Sequence, residues 1–218
     1  MSNNVINKRI SELIERYIDD IDQNNWEYVY EQLVNNKFYT AEEICLFTLH
    51  TVDAGINPLL HMSYVPSGFL YNAQYLGRLE KMCLYIPDHI KEIKDCAFYN
   101  SGIIDLTLPQ SLEKVGYKGI FSKDNSINIH IKDIHKTLSI EWKDGYNPIL
   151  MKDTNLLFYQ NGVRIKAEVL VDDLIKQATD STIYLQDAFN KISVTSKDFN
   201  NSISKFKNFI DEYYSEEN

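Results

Sequence analysis

The residues best suited to chemistry are few and scattered. His130, Asp133 and His135 lie near one another in the chain and are of metal-ligating types, but their spacing matches no common zinc signature. His130 falls in an alternating apolar–polar run, where a hydrogen-bonded surface or inter-strand histidine is the simpler reading. The Asp172-Asp173 pair resembles a metal-binding acid pair, yet at a helix start two carboxylates also offset the helix dipole. Cys45, Cys83 and Cys96 form no CxxC and have no motif histidine, so they read as reduced, buried thiols of a cytoplasmic protein. Gly116-Tyr117-Lys118-Gly119 lacks the spacing and the Ser/Thr of a phosphate loop. No acid, base and nucleophile converge, so the expectation is a non-enzyme with no catalytic, cofactor or metal residues. What the chain has in quantity is aromatic rings, 15 Tyr and 10 Phe, more than a core absorbs. Tyr71, Tyr75, Tyr85, Tyr99 and Tyr117 are therefore the candidates for protein contact.

Something must position those rings. The chain has 218 residues, 44 % hydrophobic and 24 % charged, enough for a core without disulfide or metal staples. No apolar run approaches the roughly 18 residues of a membrane span, and the N-terminus shows no secretory segment, so no membrane contact is expected. The net charge of −9 argues against binding a phosphate backbone. It is also uneven: residues 1–62 carry net −6, residues 63–166 net +2 and residues 167–218 net −5. Asn, Ile, Lys and Tyr make up 78 residues, and their A/T-rich codons point to a low-GC genome.

Residues 1–57 read as a helical cap. Ile6, Ile10, Leu13, Ile14, Tyr17, Ile18 and Ile21 form one stripe at helical spacing, interrupted at Asn24-Asn25. Trp26, Val29, Tyr30, Leu33 and Val34 make a second stripe. Thr40-Ala41-Glu42-Glu43 fits a capping box opening a third helix, which Gly55 and Pro58 stop.

Residues 58–166 contain a repeat. Ile86-Pro87, Ile90, Ile93 and Ala97-Phe98 recur as Leu108-Pro109, Leu112, Val115 and Gly119-Ile120, at an offset of 22. A partial copy lies upstream at Val65-Pro66, with Leu70-Tyr71-Asn72 and Leu76 spaced like Phe98-Tyr99-Asn100 and Ile104. Ile104–Leu108 and Ile127–Ile131 alternate with strand period, and Asn161-Gly162 signals a hairpin turn. Periods of roughly 20–29 residues with short strands suit a solenoid. Ile90, Ile93, Phe98, Ile104 and Leu106 should then point inward.

Residues 86–109 resemble the BspA-like leucine-rich repeats, whose phrase joins an Ile-Pro pair, spaced apolar residues, Ala-Phe and a closing Leu-x-Leu-Pro. The segments His135–Trp142 and Leu157–Ile165 resemble the coils and hairpins that flank such rows. The resemblance implies an α+β fold, a short leucine-rich-repeat solenoid capped by N-terminal helices and a C-terminal helical segment, and a binding role without catalytic residues. It also implies a gene of a phage or mobile element and a host protein as partner, bound and inhibited in the host cytoplasm.

Residues 167–218 hold apolar residues spaced four and three apart from Val171 to Tyr213, about six heptads. As one helix this seam would run roughly 70 Å and need a second chain. Homo-oligomerisation through residues 168–214, as in a virion or assembly component, is thus an alternative function. The bulky Phe189, Phe199, Phe206 and Tyr213 instead favour folding back, with a break near residues 193–196. A small enzyme is the third alternative.

Overall fold

The computed structural model describes residues 3–76, 83–143, 147–150, 155–167, 169–173 and 176, with backbone alone for 3–7 and 83–85. Among them the fold is mixed α and β, with helices first in the chain and several open sheets after them. The chain divides into two compact units, Met1–Ile165 and Lys166–Asn218.

The first unit opens with α1 (Asn3–Arg16), α2 (Ile18–Asp22), α3 (Trp26–Asn35) and α4 (Ala41–Asp53). The expected first stripe breaks at Tyr17, whose N–H is shared between the carbonyls of Leu13 and Ile14. Asp19 and Asp20 fall in the first turn of α2, where carboxylates favour a new helix start. Of the stripe from Ile10 to Ile21, Ile10 and Leu13 are buried and Ile18 is exposed. The capping box of α4 forms in full. Thr40 Oγ1 accepts from the Glu43 N–H at 3.2 Å, and Glu43 Oε2 accepts from the Thr40 N–H at 2.9 Å. Gly55, at φ +81°, ends the segment in the left-handed region.

The chain then winds in successive turns, each laying short strands beside those of the turn before. β1 (Tyr64–Val65), β2 (Cys83–Tyr85), β3 (Glu92–Ile93), β4 (Phe98–Tyr99) and β5 (Asp105–Thr107) come first. β6 (Lys114–Val115), β7 (Ile120–Phe121), β8 (Ile127–Ile131), the short helix α5 (Ile134–Leu138), β9 (Glu141–Trp142), β10 (Leu156–Gln160) and β11 (Val163–Arg164) follow. One sheet runs β1-β3-β6-β9, a second β11-β10-β8-β5-β2, and a third pairs β4 with β7; every pairing is parallel except that of β10 with β11. The central turns keep the period read from the sequence: Leu84 pairs with Leu106, Ile93 with Val115 and Phe98 with Ile120, each 22 residues apart. Upstream, Val65 pairs with Ile93, 28 residues on, so Ile93 and not Ile86 is its counterpart. Asn161 and Gly162 take φ values of +52° and +77°, the hairpin turn joining β10 to β11.

Inward-facing residues stack turn on turn. Val65, Ile93, Val115 and Trp142 form one buried row, and Leu106, Ile129 and Phe158 another. Ile90, Phe98 and Leu106 are buried as expected, but Ile104 is only half-buried. It precedes β5, and Ile103 turns inward in its place. A continuous aromatic core joins helices to winding: Tyr30 lies 5.9 Å from Phe47 and 5.7 Å from Phe69, and Phe69 meets Phe98 edge-on at 6.3 Å. The buried Tyr30 hydroxyl is satisfied by Thr48 Oγ1 at 2.7 Å.

In the second unit, Ala167 and residues 169–173 are helical, with Asp172 and Asp173 exposed. Val171, where the expected seam begins, is buried; the rest of the heptad seam over residues 168–214 and the break at 193–196 lie outside the described residues.

Candidate protein-interaction face

Three turns of the winding share a local pattern: a buried apolar residue, an outward aromatic, then a polar residue. It reads Leu70-Tyr71-Asn72, Phe98-Tyr99-Asn100 and Ile120-Phe121-Ser122. The Asn72 and Tyr99 backbones are joined by an N–H···O bond of 2.7 Å, and those of Asn100 and Phe121 by one of 2.8 Å. Asn72 and Asn100 adopt φ of +56° and +46°, which asparagine tolerates better than most residues. Their side chains continue the ladder. Asn100 Nδ2 donates to Asn72 Oδ1 at 3.3 Å, and Asn100 Oδ1 accepts the Lys123 N–H at 2.8 Å.

This scaffold sets the outward rings in a column. Tyr71 stacks on Tyr99 at 5.3 Å with 17° between planes, and Tyr99 on Phe121 at 5.3 Å and 12°. The Lys118 ammonium lies beside the column, 5.7 Å from the Tyr99 ring, 5.2 Å from Tyr117 and 5.3 Å from Phe121. Its pKa is held above the ordinary lysine value, first by the Tyr117 hydroxyl. At the rim, the Tyr75 hydroxyl donates to Asp124 Oδ2 at 2.5 Å and Gln74 Nε2 to the same oxygen at 3.2 Å. That bond to Asp124 is the leading cause that raises the Tyr75 pKa. Tyr75 and Tyr117 are 58 % and 48 % exposed, so large aromatic area stays in water around a half-buried column.

Of the five tyrosines singled out from the sequence, Tyr71, Tyr75, Tyr99 and Tyr117 belong to this cluster. Tyr85 sits in β2 of the five-stranded sheet, paired with Thr107. Sequence reasoning missed Phe121, Lys118, Gln74 and Asp124. The offset of 22 was the available signal, since it sets Phe121 opposite Tyr99 and Lys118 opposite Cys96.

The other candidate residues take up structural bonds. His130 Nε2 and Asn128 Nδ2 meet Asp105 Oδ1 at 3.2 and 3.0 Å, and the His130 ring stacks on Tyr159 at 5.6 Å. These bonds, Asn128 first and His130 second, hold the Asp105 carboxyl below the usual aspartate value. Asp133 caps α5, its Oδ1 accepting the N–H groups of His135 and Lys136 at 2.8 and 3.2 Å. Among the described residues no cluster of three His, Cys, Asp or Glu is placed to hold a metal ion. Cys45 is buried, and burial pushes its thiol up to about 12. Cys96 is half-buried at the edge of the column, its Sγ 3.7 Å from the Tyr117 carbonyl oxygen. No helix of the described residues is long and apolar enough to cross a membrane. No protein-family model, curated protein or solved structure matches the chain.

Proposed function

We propose that this chain is a non-enzymatic protein-interaction protein. In this reading its winding is a short BspA-like leucine-rich-repeat solenoid, the helices of residues 1–57 cap one end, and the aromatic face of the repeats grips a partner protein. The observation that carries the reading is the convergence of Tyr71, Tyr75, Tyr99, Tyr117, Phe121 and Lys118 on one face. Tyrosine gives large contact area for little conformational entropy, and a column fixed by backbone pairing is ordered before any partner arrives. The A/T-rich residue usage and the repeat phrase support a phage or mobile-element origin, with a host protein bound in the host cytoplasm and its activity blocked.

Tyr75→Ser with Tyr117→Ser tests this, since both rings are largely exposed and their loss spares the core. Affinity capture from a low-GC bacterial host should retain a defined protein on the parent chain and lose it on the double variant. The same exchange at exposed Val163 should change nothing. Equal capture by parent and double variant would overturn the assignment of this face.

A further inference from the structure

A cavity of about 290 Å³ opens between α1 and the loop joining α3 to α4, built from residues the aromatic face does not use. Arg9, Leu13 and Arg16, on one side of α1, form a wall; Phe38 and Tyr39 face them. Two of the chain's four arginines thus line one small space, although residues 1–62 are strongly acidic.

The two arginines are not equivalent. Arg9 is engaged: its Nη1 lies 2.7 Å from Glu43 Oε1 and its Nη2 donates to the Phe38 carbonyl at 3.3 Å. Glu43 is in turn the capping-box carboxylate of α4, so Arg9 fastens the loop to both helices. Arg16 donates from Nη1 to the Tyr39 hydroxyl at 3.0 Å, also interacts with the Tyr17 hydroxyl, and has no carboxylate partner among the described residues. Its guanidinium carries five N–H donors in a planar fork, more than two tyrosine hydroxyls can use. At the lip stands Phe38, 83 % exposed, the most exposed large apolar residue among those described. Glu12, one turn before Arg16 on the same wall, is exposed and pairs with Lys8 at 3.9 Å.

We propose that this cavity binds a planar carboxylate with an aromatic body, gripped bidentately by Arg16 with its ring against Phe38. The volume sits at the lower end of small-molecule sites, about 300 Å³, and suits one ring with its acid group. The planar fork of Arg16 matches two coplanar carboxylate oxygens, and Phe38 offers a surface to a ring, which inorganic phosphate lacks. A free aromatic acid and a polypeptide C-terminus ending in an aromatic residue share this chemistry.

Calorimetric titration of the full chain with three probes tests it: benzoate, an acetylated peptide ending in Phe with a free carboxylate, and inorganic phosphate. Benzoate, the peptide or both should bind saturably, and whichever binds identifies the source. Arg16→Gln should weaken that binding by at least about tenfold, and Arg16→Lys should restore part of it. Phe38→Ala, at an exposed position that folding does not depend on, should also weaken it. Phosphate, with no ring to set against Phe38, should bind more weakly than benzoate. The proposal is overturned if neither carboxylate saturates, if Arg16→Gln or Phe38→Ala leaves the affinity unchanged, or if phosphate matches benzoate on the parent chain.

Discussion

Asn100 shows how one residue serves both backbone and neighbours. It is 4 % exposed, bends the chain at φ +46°, and bonds Asn72 on one side and the Lys123 N–H on the other. Asn100→Ala removes both part-buried bonds and puts a residue without local hydrogen bonding in the left-handed region. A loss of about 2–4 kcal/mol in chemical unfolding is expected; a midpoint equal to the parent's would show that the bend does not need asparagine. The cysteines offer a second comparison. Cys45 is fully buried with its thiol raised to about 12, so near neutral pH it is protonated and shielded. A thiol reagent at pH 8 should modify Cys96 in the native protein and reach Cys45 only on unfolding, as mass spectrometry of the digested protein would show. Native labelling of Cys45 would contradict its burial in α4.

Each strand is too short to be stable alone, and the stacking of turns holds it in place. Phe98 is fully buried, touches Phe69 edge-on and pairs with Ile120, so Phe98→Ala should cost about 3–5 kcal/mol. Gly116 tests the contact between turns from another side. A Cβ there would lie 2.5 Å from the Asp95 backbone nitrogen and 2.8 Å from the Lys94 carbonyl carbon, both backbone atoms that cannot swing away. Gly116→Ala should therefore lower the melting temperature sharply, whereas at Gly119, with nothing nearer than 3.0 Å, the loss should be smaller. Equal melting temperatures for Gly116→Ala and the parent would mean that these turns are further apart. Much at this scale was legible in advance: the capping box, the Asn161-Gly162 hairpin and the offset of 22 are local patterns, and local physics enforces them. What was not legible depends on context. The break at Tyr17 follows from where Leu13 is buried and where Asp19 and Asp20 fall, and the half-burial of Ile104 from where β5 begins. The aromatic column needed the register of β4 against β7, which no single segment encodes.

At the scale of the molecule, ion pairs tie non-adjacent turns on the surface. Lys132 reaches back to Asp88 at 2.6 Å and Lys143 to Asp95 at 2.7 Å. These bonds are the leading cause that holds both carboxyls below the ordinary 3.8, as Asn128 and then His130 do for Asp105. A carboxyl with a folded pKa below its unfolded one stabilises the fold above the unfolded value and loses that contribution as pH falls through the folded value. Stability should therefore decline below about pH 4. Asp88→Asn with Asp95→Asn should flatten that decline, and added salt should shrink the difference because the pairs are exposed. An unchanged acid profile in the double variant would remove these pairs from the account. The central claim is that successive turns stack in the register that sets Tyr71, Tyr99 and Phe121 in one column, since the proposed binding face is built on that column. Ring-to-ring nuclear Overhauser contacts in the selectively labelled protein test it most directly. The register predicts contacts between Tyr71 and Tyr99 and between Tyr99 and Phe121, but none between Tyr71 and Phe121, which stand two turns apart. A direct Tyr71–Phe121 contact, or a Tyr99 ring touching neither neighbour, would contradict it.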